Sequence, residues 1–282
     1  MPTGGVGRDG RSLRLIAFAR LMERGSGITT QGASQPQLSI VVPAYNEGWR
    51  LPDTLGELFS FLTTQSYKAE VMVVENGSSD DTAQVVQRLI PRFPGLRLMR
   101  LQEAGKGRAV RAGVLDATGD IIFLCDADLS TPAAEIPRFM KTIHAGYDIV
   151  VGSREGVGAI RYGEPEYRHI MGRVFNRLVQ VLAVPDIEDT QCGFKAFNRA
   201  AALALFPLQT ITGWAFDVEI LYLARKLGYR IAELPVEWRF NDDTKVRALQ
   251  DTRTMLSDII TIRLNDLRRR YHAPVRPVTP HA

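Results

Sequence analysis

The chain has 282 residues, of which 45% are apolar and 23% are charged, and its formal net charge is +4. This composition excludes disordered, collagen-like and coiled-coil proteins, and the length allows one large α/β domain or two small ones. Two cysteines, Cys125 and Cys192, cannot build a disulfide framework, and with four histidines they offer no zinc-ligand spacing. A reduced, cytoplasm-facing compartment is therefore expected.

Charge is concentrated at the two ends of the chain. Residues 1–36 carry five arginines against two acidic residues, residues 245–282 carry eight basic residues against three acidic ones, and the residues between them are net acidic. Nucleic-acid-binding proteins need a basic stripe over the fold, so we expect no nucleic acid partner. Basic ends suit contact with an anionic membrane surface, although solvated tails would carry the same charge.

No segment approaches the roughly 20 apolar residues that cross a bilayer. The nearest stretch, residues 13–22, is interrupted by Arg14 and Arg20, and it lacks the apolar core and cleavage site of a signal peptide. The sequence predicts neither a transmembrane helix nor secretion.

Residues 1–36 form a basic tail and a Gly/Ser/Thr/Gln linker, after which apolar runs alternate with helical patterns. The patterns predict strands over residues 38–43, 70–75, 96–101, 120–125 and 147–151, and helices over residues 51–63, 82–92, 106–117 and from Pro132 onward. Each strand is an apolar run without alternation, and helices separate the strands. These elements therefore predict a mostly parallel α/β sheet with helices on both faces.

The pattern changes after Arg154. A Gly/Glu/Pro loop over residues 156–165 precedes a helix over 167–183, a polar run over 189–197, a helix over 214–227, a strand over 231–239 and a long helix over 246–270. We interpret residues 37–244 as one α/β domain, residues 245–270 as an amphipathic helix that can associate with a membrane, and residues 271–282 as a tail.

Two carboxylates, Asp126 and Asp128, directly follow the apolar strand that ends at Cys125. Ligands of parallel sheets bind at the carboxyl ends of strands, and two neighbouring carboxylates repel each other unless a cation offsets them. Mg²⁺ or Mn²⁺, completed by diphosphate oxygens and water, would do so without His or Cys ligands. The alternative is an acidic turn that caps the helix after Pro132.

Two further polar segments follow predicted strands or open helices. Glu75 or Asn76 can accept a nucleobase N–H, although a tight turn in which Ser79 caps the next helix explains the same residues. Glycines on either side of Lys106 open a helix in a way that suits phosphate, although this is not a Walker A pattern.

Taken together, these motifs resemble the nucleotide-sugar half of family 2 glycosyltransferases with the GT-A fold. The resemblance rests on Ile40-Val-Val-Pro-Ala-Tyr-Asn-Glu47, Val73-Val-Glu-Asn-Gly-Ser-Ser-Asp-Asp-Thr82, Gly105-Lys-Gly107, Cys125-Asp-Ala-Asp-Leu129 and Gly152-Ser-Arg154, in this order. The second half is similar to dolichyl-phosphate β-glucosyltransferases and their bacterial polyprenyl-phosphate relatives, through Asp189-Thr-Gln-Cys-Gly-Phe-Lys195, Trp214-Ala-Phe-Asp-Val-Glu219 and Pro235-Val-Glu-Trp238. The resemblance covers roughly residues 37–266.

The resemblance implies a role for each matching position. The nucleotide sugar would be bound by Pro43, Ala44, Tyr45, Glu47, Glu75, Asn76, Lys106, Asp126, Ala127, Asp128 and Gln191. Glu75 and Asn76 stand where the family usually has two aspartates. Asp126 and Asp128 would hold Mg²⁺ or Mn²⁺. The residues expected to act on the reaction are Asp128, Arg154, Arg168, Asp189 and Asp217, with the two arginines at phosphates, and Glu219 is expected near the sugar and acceptor.

The implied reaction is an inverting transfer of a sugar, glucose and UDP being favoured, to a polyprenyl phosphate of dolichyl or undecaprenyl type. A phosphate acceptor is already anionic, whereas a hydroxyl acceptor of an envelope polysaccharide or glycolipid would need a carboxylate base, with Asp217 and Asp189 as candidates. A silent nucleotide-sugar-binding protein is a third possibility, against which the intact Asp126 and Asp128 pair argues.

A lipid acceptor predicts a peripheral protein on the cytoplasmic face of the membrane, held by its last helix. That helix is apolar on one broad side and is followed by arginines, a pattern typical of interfacial helices. The apolar residues are Met255, Leu256, Ile259, Ile260, Ile262, Leu264 and Leu267, and the arginines are Arg263, Arg268, Arg269 and Arg270. The alternative is that the helix packs on the domain.

Overall fold

A computed structural model describes residues 35–241 and 248–271 of the chain. The predicted N-terminal tail, up to residue 34, and the C-terminal residues from 272 lie outside these ranges. The described strands are β1 (Leu38–Ala44), β2 (Ala69–Asn76), β3 (Leu96–Leu101), β4 (Ile121–Leu124), β5 (Ile149–Ser153), β6 (Ile160–Tyr162), β7 (Lys195–Asn198), β8 (Ile231–Pro235) and β9 (Glu237–Arg239). The described α-helices are α1 (Leu51–Thr63), α2 (Thr82–Leu89), α3 (Lys106–Asp116), α4 (Ile136–His144), α5 (Glu166–Leu182), α6 (Arg199–Leu205), α7 (Phe216–Lys226) and α8 (Ala248–Leu267).

Seven strands form one sheet in the order β3-β2-β1-β4-β7-β5-β8. All neighbours run parallel except β7, which is antiparallel to both β4 and β5. Strands β6 and β9 pair in a small separate sheet. The predicted class, a mostly parallel sheet flanked by helices, is confirmed.

Burial explains why these segments become strands and helices. Strands β1 and β2 are apolar on both faces because a hydrophobic cluster lies on each side of the sheet. Helix α1 has a proline in its first turn, and its side chains Leu55, Leu58 and Phe59 are buried in one of these two clusters. Helix α3 crosses the sheet closely at Gly113, where a Cβ would lie 2.5 Å from a methyl carbon of Val41.

Several predicted elements differ from the structure. The strand predicted over residues 231–239 is interrupted at Val236, and its two parts belong to different sheets. The helix expected from Pro132 begins with a 3₁₀ turn before α4. Ser79 does not cap α2; instead its backbone N–H donates to Asn46 Oδ1 at 2.8 Å, while Asp80 Oδ1 accepts from the Thr82 amide. Strands β6 and β7 and helix α6 were not predicted.

The last helix packs on the domain along part of its apolar side. Met255, Ile259 and Ile262 of α8 are buried in the same cluster as α7, whereas Ile260, Leu264 and Leu267 are exposed. Part of the apolar side is therefore packed on the domain, as the alternative expected, and the expectation that this helix anchors the protein stays a prediction for the exposed part. Among the described residues, no helix is long and apolar enough to span a membrane.

Candidate active site

The carboxyl ends of β1, β2 and β4 meet at one edge of the sheet, as expected of parallel strands. A cleft opens there beside the N-terminal ends of α3 and α7. It is lined by Pro43, Lys106, Val110, Leu124, Cys125, Asp126, Gly193, Phe216 and Asp217. Four of the predicted site residues, Pro43, Lys106, Asp126 and Asp217, therefore line one cleft.

Asp126 forms an ion pair with Lys106, whose Nζ lies 2.7 Å from Asp126 Oδ1. Burial acts to raise the pKa of Asp126, but the charge and hydrogen bond of Lys106 hold it below its usual value. Lys106 begins α3 and also lies over the ring of Trp214, 5.1 Å from its centroid. A cation held by a carboxylate and an aromatic ring thus lines the cleft.

Gly193 allows Asp126 to occupy its position. A Cβ built on Gly193 would lie only 1.9 Å from Asp126 Oδ2, so no other residue fits without moving the carboxylate. The sequence before β7 is therefore in direct contact with the turn after β4. Sequence reasoning did not single out this glycine.

Asp128 is half-exposed, and its Oδ1 accepts a hydrogen bond from the Ser130 amide at 3.0 Å. The carbonyl of the intervening Ala127 accepts from Thr54 Oγ1 at 2.6 Å, which fixes the turn to α1. The described residues contain no cluster of three or more His, Cys, Asp or Glu side chains suited to a metal. Two hard carboxylates at an open edge fit Mg²⁺ or Mn²⁺ only together with oxygens of a bound diphosphate.

Glu75 and Asn76 are nearly completely buried and join three strand ends. Asn76 Nδ2 donates to the Ala44 carbonyl at 2.8 Å, and its Oδ1 accepts from the Gly105 amide at 3.0 Å. Glu75 Oε1 accepts from the Ser78 amide at 2.6 Å. The contacts of Asn76 hold the loop before Lys106 against the end of β1, and Glu75 fixes the turn after β2, so both residues shape this edge of the site.

Tyr45 and Glu47 follow β1 at the same edge. The side chain of Tyr45 is exposed, whereas that of Glu47 is buried with its carboxylate 3.4 Å from Arg50 Nη1. The Glu47 amide donates to Thr82 Oγ1, which ties the start of α1 to α2.

A second ion pair, which the sequence did not predict, lies beside the first. Lys195 Nζ is 2.7 Å from Asp217 Oδ1, and the two side chains are 1% and 6% exposed. Burial raises the pKa of Asp217, an effect that Lys195 and Lys106 partly offset. The signal was present in the sequence: a lysine between Phe194 and Phe197 in an apolar strand needs a buried acidic partner.

Arg154 and Asp189 form a bidentate pair, with Nε 2.7 Å from Oδ2 and Nη2 2.9 Å from Oδ1. The Arg154 amide also donates to Asp189 Oδ2 at 3.0 Å, and Glu233 Oε1 accepts from the Asp189 amide at 2.8 Å. Burial acts to raise the pKa of Asp189, but Arg154 lowers it to about 2. Asp189 is therefore a fixed anion.

Arg168, on α5, forms no ion pair with any residue in the described ranges. Its guanidinium lies 5.2 Å from the ring centroid of Phe240, and that of Arg154 lies 5.3 Å from Trp238. The two rings are 5.9 Å apart, so β9 and the residue after it place both arginines on neighbouring aromatic surfaces.

Gln191 and Glu219 are not among the residues that line the cleft. Gln191 Nε2 is 3.7 Å from the sulfur of Met255 on α8. Glu219 is completely buried and accepts hydrogen bonds from the amides of Thr210 and Ile211 and from Tyr271 Oη. The expectation that Glu219 lies at the sugar or acceptor is wrong, because its carboxylate is enclosed by these protein contacts.

A family model described as glycosyl transferase family 2 matches residues 39–206. A dolichyl-phosphate beta-glucosyltransferase from Dictyostelium discoideum is 39% identical over 244 residues, which are 82% of this chain and 75% of that protein. The protein of the same name from Homo sapiens is 34% identical and covers 82% of this chain and 76% of its own length.

Among solved structures, the glucosyl-3-phosphoglycerate synthase from Mycobacterium tuberculosis in complex with Mn²⁺, uridine diphosphate and glucosyl-3-phosphoglycerate is similar with a TM-score of 0.61. The identity is 19%, and the match covers 82% of this chain and 79% of that chain. This likeness shows a shared fold.

Proposed function

Because this chain belongs to glycosyltransferase family 2, we propose that it transfers glucose from UDP-glucose to the phosphate of a polyprenyl lipid, with inversion at the sugar. The GT-A fold predicted from the sequence is confirmed by its solved structural neighbours. Relatives at 31–39% identity over most of the chain are named dolichyl-phosphate beta-glucosyltransferases. Uridine diphosphate and its glucose conjugate occupy the structural neighbours.

The observation that carries the choice of acceptor is the state of Asp217 and Asp189. A hydroxyl acceptor needs a carboxylate that can take a proton, but Asp217 is paired with buried Lys195 and Asp189 is held by two hydrogen bonds from the Arg154 guanidinium. With a pKa of about 2, Asp189 is a poor base. An anionic phosphate acceptor needs no base, so it fits a site whose acids are already paired.

The donor's diphosphate would lie beside Lys106 and the Asp126–Asp128 turn. Lys106 Nζ, at the start of α3, is placed to stabilise charge on the leaving nucleoside diphosphate. The hydrogen bonds of Asn76 fix the loop that leads to Lys106, so the cation is held before the substrate arrives. A preorganised cation costs no reorganisation during the reaction.

Asp126 and Asp128 would hold Mg²⁺ or Mn²⁺. When bound, the ion would neutralise diphosphate charge as the sugar leaves. We assign Asp128 as the main ligand of the ion, because Asp126 already forms an ion pair with Lys106. Both carboxylates lie on one turn fixed by Thr54, so they meet the donor in a constant position.

The acceptor phosphate is assigned to Arg168. Its guanidinium packs on the ring of Phe240 and forms no ion pair with a carboxylate among the described residues. The Arg154 guanidinium, in contrast, donates two hydrogen bonds to Asp189. A planar guanidinium binds phosphate oxygens in pairs, which fixes the direction of attack. A single in-line displacement by the phosphate oxygen converts an α-linked donor into a β-linked product. The lipid acceptor places the enzyme at a membrane, for which we propose the cytoplasmic face.

The deciding experiment offers UDP-glucose, other UDP-hexoses and GDP-mannose to the enzyme, each with a short polyprenyl phosphate or with the matching polyprenol. Mass spectrometry of the lipid product identifies the sugar, and the anomeric coupling by NMR gives the stereochemistry. We expect glucosyl phosphate lipid with a β linkage and no product on the alcohol. Transfer to the alcohol or to a soluble sugar hydroxyl, with none to the phosphate, would overturn the proposal.

A further inference from the structure

Helix α5 leaves an apolar stripe exposed along its whole length. On this helix only Val179 is fully buried. Seven large apolar side chains are between 42% and 75% exposed: Tyr167, Ile170, Met171, Val174, Leu178, Val181 and Leu182. At about 100° per residue, they fall within about 120° of the helix circumference. Contiguous exposed apolar surface of this kind marks an interaction site.

Arginines border this stripe on both sides. In the same helical projection, Arg168 follows one edge, and Arg173 and Arg177 follow the other. Neither Arg173 nor Arg177 is paired with a carboxylate in residues 35–241 or 248–271. Within the described residues, the Arg177 guanidinium donates a hydrogen bond of 3.0 Å to the uncharged side chain of Gln180.

We propose that α5 docks the enzyme on an anionic lipid bilayer, lying parallel to the surface with the stripe among the acyl chains and the arginines at the headgroups. A narrow apolar stripe between arginines is the pattern of a helix that lies in a membrane interface. Charge favours an anionic bilayer over two other possible occupants of the stripe, the N-terminal segment of this chain and a second copy of the chain. The segment of residues 1–34 carries five arginines against two acidic residues, and a second copy would bring its own arginines, so both would oppose like charges.

This inference rests on the proposed function and deepens it. Arg168, assigned to the acceptor phosphate, belongs to the docking helix and borders its stripe. A bilayer that receives the stripe would therefore present lipid phosphates at the level of Arg168. The same helix, α5, would thus dock on the membrane and bind the acceptor phosphate. Attachment through the C-terminal helix would not couple these two roles.

The test compares the full chain with two matched triple variants. Ile170→Ser, Val174→Ser and Val181→Ser remove the centre of the α5 stripe, whereas Ile260→Ser, Leu264→Ser and Leu267→Ser remove exposed apolar side chains of α8. Binding is measured by co-sedimentation with phosphatidylcholine vesicles that contain about one third phosphatidylglycerol, at low and high salt. We expect the α5 variant to bind at least about tenfold more weakly and the α8 variant to bind like the parent. Arg173→Glu with Arg177→Glu should also weaken binding, most visibly at low salt.

Three results would overturn the docking surface: a parent protein that ignores anionic vesicles at low salt, equal losses in both triple variants, or a dimer in sedimentation velocity that only the α5 variant abolishes. Circular dichroism checks that each variant is folded.

Activity on a short-chain, water-soluble polyprenyl phosphate separates this inference from the proposed function. The α5 variant should retain it while losing activity on acceptor in vesicles. A parent enzyme that binds vesicles but never uses either phosphate would refute the proposed function and leave the docking surface intact.

Discussion

Lys195 Nζ lies 2.7 Å from Asp217 Oδ1, and next to this pair Lys106 Nζ lies 2.7 Å from Asp126 Oδ1. The pairs act on each other, because Asp217 helps to raise the pKa of Lys106 and Lys195 helps to lower that of Asp126. Two cations and two anions therefore lie next to each other, and three of them, Lys106, Asp126 and Asp217, line the cleft. Removing either Lys195 or Asp217, whose side chains are 1% and 6% exposed, leaves a buried charge without its partner.

Asp217→Asn should destabilise the protein by about 3–5 kcal/mol, because Lys195 would stay buried without its anion. The double variant Asp217→Asn with Lys195→Met should recover part of this loss, since neither charge remains. Urea denaturation of the parent, both single variants and the double variant gives the coupling. Strictly additive losses would show that the two side chains do not stabilise each other.

Asp128→Asn should reduce turnover by about 10²-fold or more, the scale of losing a group that stabilises charge in the transition state. The half-exposed carboxylate is assigned to the metal rather than to the core, so the melting temperature should stay near that of the parent. Asp53→Asn, an exposed aspartate of α1, is the matched control. Full activity in excess EDTA would refute the metal assignment.

Arg168→Ala should impair transfer to polyprenyl phosphate more than hydrolysis of UDP-glucose by water, because the arginine is assigned to the acceptor. Arg168→Lys should rescue transfer poorly, since the planar fork is lost. Arg92 provides a control, as it also lies over a phenylalanine, 5.3 Å from the ring of Phe93, but just before the amino end of β3. Equal losses in transfer and hydrolysis would place Arg168 at the donor or in the fold.

The Arg154–Asp189 pair should make stability depend on pH in acid. The folded protein holds the pKa of Asp189 at about 2, below the ordinary value of 3.8 for an aspartate. The carboxylate therefore contributes about 2 kcal/mol above pH 4, and this is lost as the pH falls toward 2. The difference in unfolding free energy between the parent and Asp189→Asn should shrink over that interval. A difference that stays constant from pH 5 to about pH 2 would contradict the depressed pKa.

Tyr271→Phe should destabilise the protein by about 1.5–3 kcal/mol, the range for a hydrogen bond to a charged group. The lost bond is the one of 2.6 Å from Tyr271 Oη to Glu219, which also holds the amides of Thr210 and Ile211. Hydrogen exchange at those two amides should accelerate. Tyr67→Phe is the control, because its buried hydroxyl has no hydrogen-bond partner among the described residues and its removal should cost little. Similar losses in both variants would argue against a role for the Glu219 contact.

The nucleotide half of the fold could be predicted because its strands are apolar runs separated by amphipathic helices. Strands β1, β2 and β3 lie within one residue of their expected bounds. Strand β7 could not be predicted, since four residues, Lys195–Asn198, pair antiparallel inside an otherwise parallel sheet, and only the tertiary fold specifies that pairing. Val236 likewise separates β8 from β9 without any local break in the sequence pattern.

The rule that ligands bind at the carboxyl ends of parallel strands predicted where the cleft lies, but it did not predict which charged side chains form ion pairs there. Asp126 and Lys106 were both expected at the diphosphate, and the structure brings them together. That Asp217 pairs with Lys195 depends on how α7 approaches β7, and no sequence spacing encodes that approach. The burial of Met255 and Ile259 on α8 depends in the same way on packing against α7.

Strand β7 has a mechanical consequence. It is hydrogen-bonded to β4, which leads to the Asp126–Asp128 turn, and to β5, which leads to Arg154. The Asp126–Asp128 turn and Arg154 therefore follow strands of one continuous sheet, and a hinge between them would have to break its ladder hydrogen bonds. Movement during turnover is left to segments outside the sheet, such as the loop of residues 209–214 that carries Trp214 to Lys106. The sheet itself is a rigid frame that keeps the Asp126–Asp128 turn at a constant distance from Arg154.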